Sequence, residues 1–147
     1  GEYDAIILAA AGLERLGWGE RITARLTPPQ WLPAGTQGII GLQCRAGDEA
    51  ISALLEPLAD EGAMRQARAE RTVLAALQGS CQVPLAVYAD PQADGSLVLA
   101  GMVGTPDGRT VLRADASGDD PETVGLELAD RLKAQGAEAI IQSLAHD

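Results

Sequence analysis

VPLAVYADPQADGSLVLAGMVGTPDGRTVLRADA, residues Val83–Ala116, holds three β-prone runs separated by two turn signatures. The runs are Val83–Ala89, Ser96–Val103 and Arg109–Ala116, each of strand length and rich in Val, Leu and Ala. Between them, Asp90-Pro-Gln-Ala-Asp-Gly95 and Thr105-Pro-Asp-Gly108 have the chemistry of tight turns. Pro pre-sets φ, Asp bonds its own backbone two residues on, and Gly accepts positive φ. Short links of this kind return each strand beside the last, so a three-stranded antiparallel sheet is expected.

Helical patterns flank the strands. Downstream, a helix is expected from Pro121 to Gln135, stopped at Gly136, with a last helix over Ala137–Leu144. Upstream, Asp60–Gln78 reads as a long helix closed by Gly79, with Ala63, Ala67, Leu74 and Leu77 as its apolar stripe. Glu70 falls on that stripe. A carboxylate there is costly unless paired, so at least one arginine is expected to reach it. Asp48–Leu58 suits another helix, with Asp48 as N-cap and Ile51, Leu54, Leu55 and Leu58 at helical spacing. Three strands with helices on one face make a small α+β domain from about residue 60 to the end.

The first third differs. Tyr3–Ala10 is continuously apolar after Asp4, the pattern of a strand buried on both faces of a sheet. Arg21–Leu26 and Gly38–Cys44 are further strand candidates, with a short helix at Leu13–Leu16 and a turn-rich stretch at Thr27–Pro33. These elements cannot cover one another, so they read as part of a larger α/β unit whose other elements lie outside these 147 residues. The fold class expected is therefore α/β and α+β, with the first third belonging to a larger unit.

Composition narrows the function. Net charge is −10 with aromatics at 3% and no Phe, which argues against a nucleic-acid partner or an anionic membrane surface. The apolar run Ala5–Ala11 is too short to span a bilayer. Cys44 and Cys81 lie far apart, outside any disulfide-rich or CxxC metal pattern, which fits a reduced cytoplasmic protein. No metal cluster, phosphate-binding glycine loop or Ser-His-Asp set is present, and the single histidine, His146, is nearly terminal.

The chemistry-bearing stretch is Gly79-Ser-Cys-Gln-Val-Pro84, whose Cys81 lies ten residues after Ala69-Glu-Arg71. Upstream come Tyr3-Asp-Ala-Ile-Ile-Leu-Ala with Ala11-Gly-Leu-Glu-Arg-Leu-Gly17, then Leu32-Pro-Ala-Gly-Thr-Gln-Gly38, then Cys44-Arg45. Four such features in this order, within the first 84 residues, resemble the hydroxymethylbilane synthases (porphobilinogen deaminases). Beyond them the likeness is looser, resting on Gly104-Thr-Pro-Asp-Gly108 and the closing helices.

The resemblance implies three α/β domains. Residues 1–32 would end domain 2, 33–59 would be a return segment of domain 1, and 60–147 would form domain 3. It implies a covalent dipyrromethane cofactor held as a thioether on Cys81, with porphobilinogen and the growing polypyrrole as partners. Thiol sulfur suits that bond because it is strongly nucleophilic even when only partly ionised. The loop follows a helix C-terminus, whose dipole does not favour the thiolate, so activation would fall to nearby arginines. Without its context, a loop cysteine is most often a small buried hydrophobe, and that is the reading retained for Cys44.

Arg15 would be one of the arginines that grip the acetate and propionate side chains of the pyrrole rings, work suited to a planar, permanently charged fork. Gln37 and Gly38 by themselves read as a turn; the resemblance would place them on a hinge strand at the cofactor cleft, with Leu8, Ala9 and Ser80 lining it. For Arg71 two readings stand: an ion pair anchoring its helix through Glu70, or contact with the ligand. The family's catalytic aspartate and most of its arginine cluster belong to the N-terminal half, absent from these residues. The expectation is that this chain alone is inactive and needs that half as a partner. The rival readings are a non-catalytic fragment or interaction module with an unmodified Cys81 and, more weakly, a thiol-redox protein.

Overall fold

The structure, a computed structural model, describes residues 2–77 and 84–144. Gly79, Ser80, Cys81, Val83 and His146 thus lie outside the described residues. Backbone packing groups the chain into two units, Gly1–Trp31 and Leu32–Asp147.

The first unit holds one α-helix, α1 (Ala10–Arg15), and a 3₁₀ turn at Gly19–Arg21. Gly17, at φ +71°, closes the helix, Arg21 stacks on Trp18 at 4.9 Å, and Arg25 pairs with Glu14 at 2.5 Å. The strands expected at Tyr3–Ala10 and Arg21–Leu26 are not formed, and Ile6 and Ile7 are 70% and 72% exposed. The cause is the one that made these runs look incomplete. A strand buried on both faces exists only with ladder partners and covering layers, and among the described residues none pairs with these runs. The same holds for Gly38–Cys44, where Ile40 is 84% exposed. Its terminal Cys44, expected to be buried, is exposed, with Sγ 3.7 Å from Ser52 Oγ.

The second unit contains α2 (Glu49–Leu55), α3 (Glu61–Ala76), β1 (Leu85–Pro91), β2 (Leu97–Gly104), β3 (Val111–Gly118), α4 (Pro121–Ala134) and α5 (Ala137–Leu144). Three helices begin with the same device. The carboxylates of Asp48, Asp60 and Asp120 accept the amides of Ile51, Ala63 and Thr123 at 3.2, 2.9 and 2.8 Å. The helix expected over Asp48–Leu58 passes into a 3₁₀ turn at Glu56–Leu58, because Pro57 has no amide to continue the ladder. α3 stops at Ala76, before the expected Gln78.

The sheet is antiparallel in the order β1-β2-β3, as the turn chemistry requires. Gly95 and Gly108 take φ +88° and +68° in the two turns. Leu85, Val87 and Ala89 line up with Val103, Gly101 and Leu99, and those with Leu112, Ala114 and Ala116. This face meets α3 and α4, and the core is Ala69, Val73, Val87, Leu97, Leu99, Leu128 and Leu132 with their neighbours. The buried positions of α3 are thus Ala69, Glu70 and Val73, joined by the capping Leu77. The stripe read from the sequence is rotated, since Ala63, Ala67 and Leu74 are only half-buried. The reason is that α3 packs chiefly against two elements, α4 and β1, where a one-sided stripe assumes one.

Candidate functional site

β1 is an edge strand, and an unpaired edge leaves amides and carbonyls to be satisfied by something other than a strand. Here the segment Leu32–Gly38 and two side chains of α3 do so. Leu32 is buried, and the Val87 amide donates to the Pro33 carbonyl at 3.1 Å. One rung along, the Ala89 amide donates to Glu70 Oε1 at 2.8 Å, while Gln66 Nε2 donates to the Ala89 carbonyl at 2.7 Å. The second Glu70 oxygen accepts the Thr36 amide at 2.5 Å.

Thr36 takes φ +62°, rare for a residue with a side chain, and its hydroxyl donates to the Gly35 carbonyl. Gly35 lies so close to the core that a Cβ there would come within 2.8 Å of Leu74 Cδ1 and 3.0 Å of Val87 Cγ1. Beyond Thr36 the chain turns, with Gln37 donating to Ala34 and Ile39 to Thr36, each at 3.1 Å, and Gly38 at φ +91°. Gln37 and Gly38 are therefore exposed on a turn, the simpler of the two readings, and the hinge strand that the resemblance implied is not formed.

The arginine expected beside Glu70 is not there. Two backbone amides satisfy the buried carboxylate, and among the described residues no cation pairs with it. Edge amides are invisible to a helical-wheel reading, which sees only that the stripe contains an acid. Burial pushes the Glu70 carboxyl above its ordinary value, and the amides of Thr36 and Ala89 pull it back only in part. A carboxyl raised in the folded state makes the unfolded chain release its proton first. That contribution is therefore complete below pH 4.5 and is lost as pH rises through the folded pKa. Asp94, Asp107 and Asp120 are shifted the other way, chiefly by hydroxyls of Ser96, Thr105 and Thr123, so their contribution is lost only as pH falls below 3.8. Urea midpoints from pH 4.5 upward should thus decline less steeply in Glu70→Gln than in the parent chain, and parallel slopes would refute the assignment.

The remaining candidates are dispersed. Cys81 and Ser80 fall outside the described residues, between Leu77, which closes α3, and Pro84, whose carbonyl accepts the Gly104 amide at 3.0 Å. Arg71 is exposed on α3 and forms no ion pair among the described residues, so the reading that tied it to Glu70 is set aside. Arg15 is exposed in the last turn of α1 and likewise has no carboxylate partner among the described residues. Arg25, Arg45, Arg109 and Arg131, by contrast, are all matched to acids. Leu8 and Ala9 are exposed, and Ala9 is the N-cap of α1, not a strand end. A shallow hollow of about 330 Å³ beside the linker, lined by Ala34, Pro84, Ala86, Met102 and Val111 among others, contains no titratable group.

Residues 64–134 match the family described as "Porphobilinogen deaminase, C-terminal domain", and residues 1–53 match "Porphobilinogen deaminase, dipyromethane cofactor binding domain". This chain belongs to the porphobilinogen deaminase family. Porphobilinogen deaminase of Thiobacillus denitrificans is 49% identical over 146 residues, covering 98% of this chain and 47% of the relative. That of Gloeobacter violaceus is 47% identical over 98% of this chain and 44% of the relative. The Bacillus velezensis protein of the same name is 42% identical over 99% of this chain and 47% of its own length. The chain thus spans a little under half the length of these porphobilinogen deaminases. Arg15, Gln37 and Gly38 lie in the first matched region, and Glu70, Arg71 and Cys81 in the second.

Proposed function

We propose that this chain is the C-terminal part of a hydroxymethylbilane synthase, an ammonia-releasing transferase that joins four porphobilinogen units head to tail in tetrapyrrole biosynthesis. The observation that carries this reading is 49% identity to a porphobilinogen deaminase across 98% of the chain. Residues 1–32 belong to its domain 2, 33–59 to a return segment of domain 1 and 60–147 to domain 3. The unformed apolar strands at 3–10 and 38–44 are the surfaces that the N-terminal half completes. No helix among the described residues is long and apolar enough to cross a membrane, and the location proposed is the cytoplasm.

The donor set fits a dipyrromethane cofactor. Its pyrrole rings carry carboxylates, and Arg15 and Arg71 are exposed guanidinium groups left without acidic partners among the described residues. Cys81 would hold the group as a thioether, with Arg15, Arg71 and the exposed Gln37–Gly38 turn gripping its polar edges, and Ser80, Leu8 and Ala9 contributing contacts. When bound, the cofactor supplies the growing end to which porphobilinogen is added. None of these residues is an acid placed for proton transfer, so that work is assigned to the complementary half.

The test is a fusion of this chain to the complementary N-terminal half of the Thiobacillus denitrificans relative. The fusion should consume porphobilinogen, release ammonia and carry a reductant-resistant adduct on Cys81, whereas the 147-residue chain alone should show no turnover. A folded fusion with neither turnover nor adduct would sink the reading and favour a non-catalytic interaction module. A reductant-labile adduct would favour thiol-redox chemistry.

A further inference from the structure

We propose that Glu70 is a positioning residue of the cofactor cleft, gauging the turn that bears Gln37 and Gly38 against the strand that follows Cys81. This rests on the reading of Cys81 and Gln37 given above. One carboxylate holds both elements, Oε2 on the Thr36 amide at 2.5 Å and Oε1 on the Ala89 amide at 2.8 Å. Thr36 immediately precedes Gln37, and Ala89 lies on β1, which begins four residues after Cys81. The carboxylate is itself held, because its neighbours Ala69 and Val73 are fully buried in the core. Gly35 leaves no space for the segment to slide inward, and the Pro33–Val87 bond fixes its other end. The turn is therefore held to the domain by a few bonds and one close approach, while its tip stays exposed.

A carboxylate suits this task because both its oxygens are acceptors, whereas a carboxamide has one acceptor and one donor. Glu70→Gln should therefore release one of the two amides and Glu70→Ala both. In the full 147-residue chain, amide hydrogen exchange at the released positions should accelerate about 10- to 100-fold, the worth of a hydrogen bond to a charged group. Exchange in β2, the central strand, should not change. Unchanged exchange at both Thr36 and Ala89, or an equal acceleration throughout β2, would overturn the gauge. If Glu70→Ala fails to fold, Glu70→Gln alone decides this arm.

The second arm uses the fusion enzyme. Glu70→Gln should lower kcat about 10-fold or more through misplacement of the turn, well below the variant's melting temperature. In a Gln37→Ala background the same change should have no further effect, since Glu70 acts through that turn. Full kcat in an active Glu70→Gln fusion, or additive losses, would end the positioning role. An inactive parent fusion would count against the synthase reading alone, leaving the exchange arm to decide whether the gauge exists.

Discussion

Gly125→Val is expected to destabilise the second unit by about 3 kcal/mol or more, measured as a shift of the urea transition. Gly125 lies buried in α4 at its crossing with α3. A Cβ at this position would meet the Ala69 carbonyl oxygen at 2.7 Å and Thr72 Cβ at 2.8 Å. The carbonyl belongs to the ladder of α3 and cannot rotate away as a side-chain end could. Relief therefore requires the helices to separate. Separation would loosen Val73, Leu128 and Leu132, all fully buried beneath the crossing. The gain in helix propensity on leaving glycine is below about 1 kcal/mol, too small to offset this. Gly125→Ala should fall between valine and the parent chain. The ordering Gly, Ala, Val in urea midpoint is the signature, and a valine variant as stable as the parent would show that the crossing is not close.

Local chemistry specified the second unit well. Turn residues at Asp90–Gly95 and Thr105–Gly108 placed both hairpins, because Asp, Pro and Gly act within four residues of themselves. The caps at Asp48 and Gly136 were legible for the same reason. Non-local partners were not. The runs at 3–10 and 38–44 have strand composition, but composition cannot provide the ladder partners that a strand needs. Glu70 is the clearest case within the site. Its place on a buried stripe was visible, and so was its need for donors. That those donors are amides of an edge strand and of a linker 34 residues away follows only from the topology. Gln66, four residues before Glu70, was the available signal: two polar side chains on one helical face have matching needs where that face meets a sheet edge.

Cys81→Ser in the fusion enzyme should remove the reductant-resistant adduct and lower turnover to the detection limit, at least about 10³-fold, if the residue supplies the bond-forming atom as proposed. The expectation rests on the difference between sulfur and oxygen. A thiol is partly ionised near neutral pH and its thiolate is a strong nucleophile, while an unassisted serine hydroxyl is neither. Serine is close to isosteric with cysteine, so the urea transition of the variant should match that of the parent. That control separates loss of an anchoring atom from loss of structure. Cys44→Ser serves as the second control. Cys44 is exposed, with Sγ 3.7 Å from Ser52 Oγ, and its replacement should leave adduct and turnover intact. Together the two variants divide the chain's cysteines by chemistry. An adduct that persists in Cys81→Ser and vanishes in Cys44→Ser would move the anchoring point to Cys44 and overturn the role proposed for Cys81.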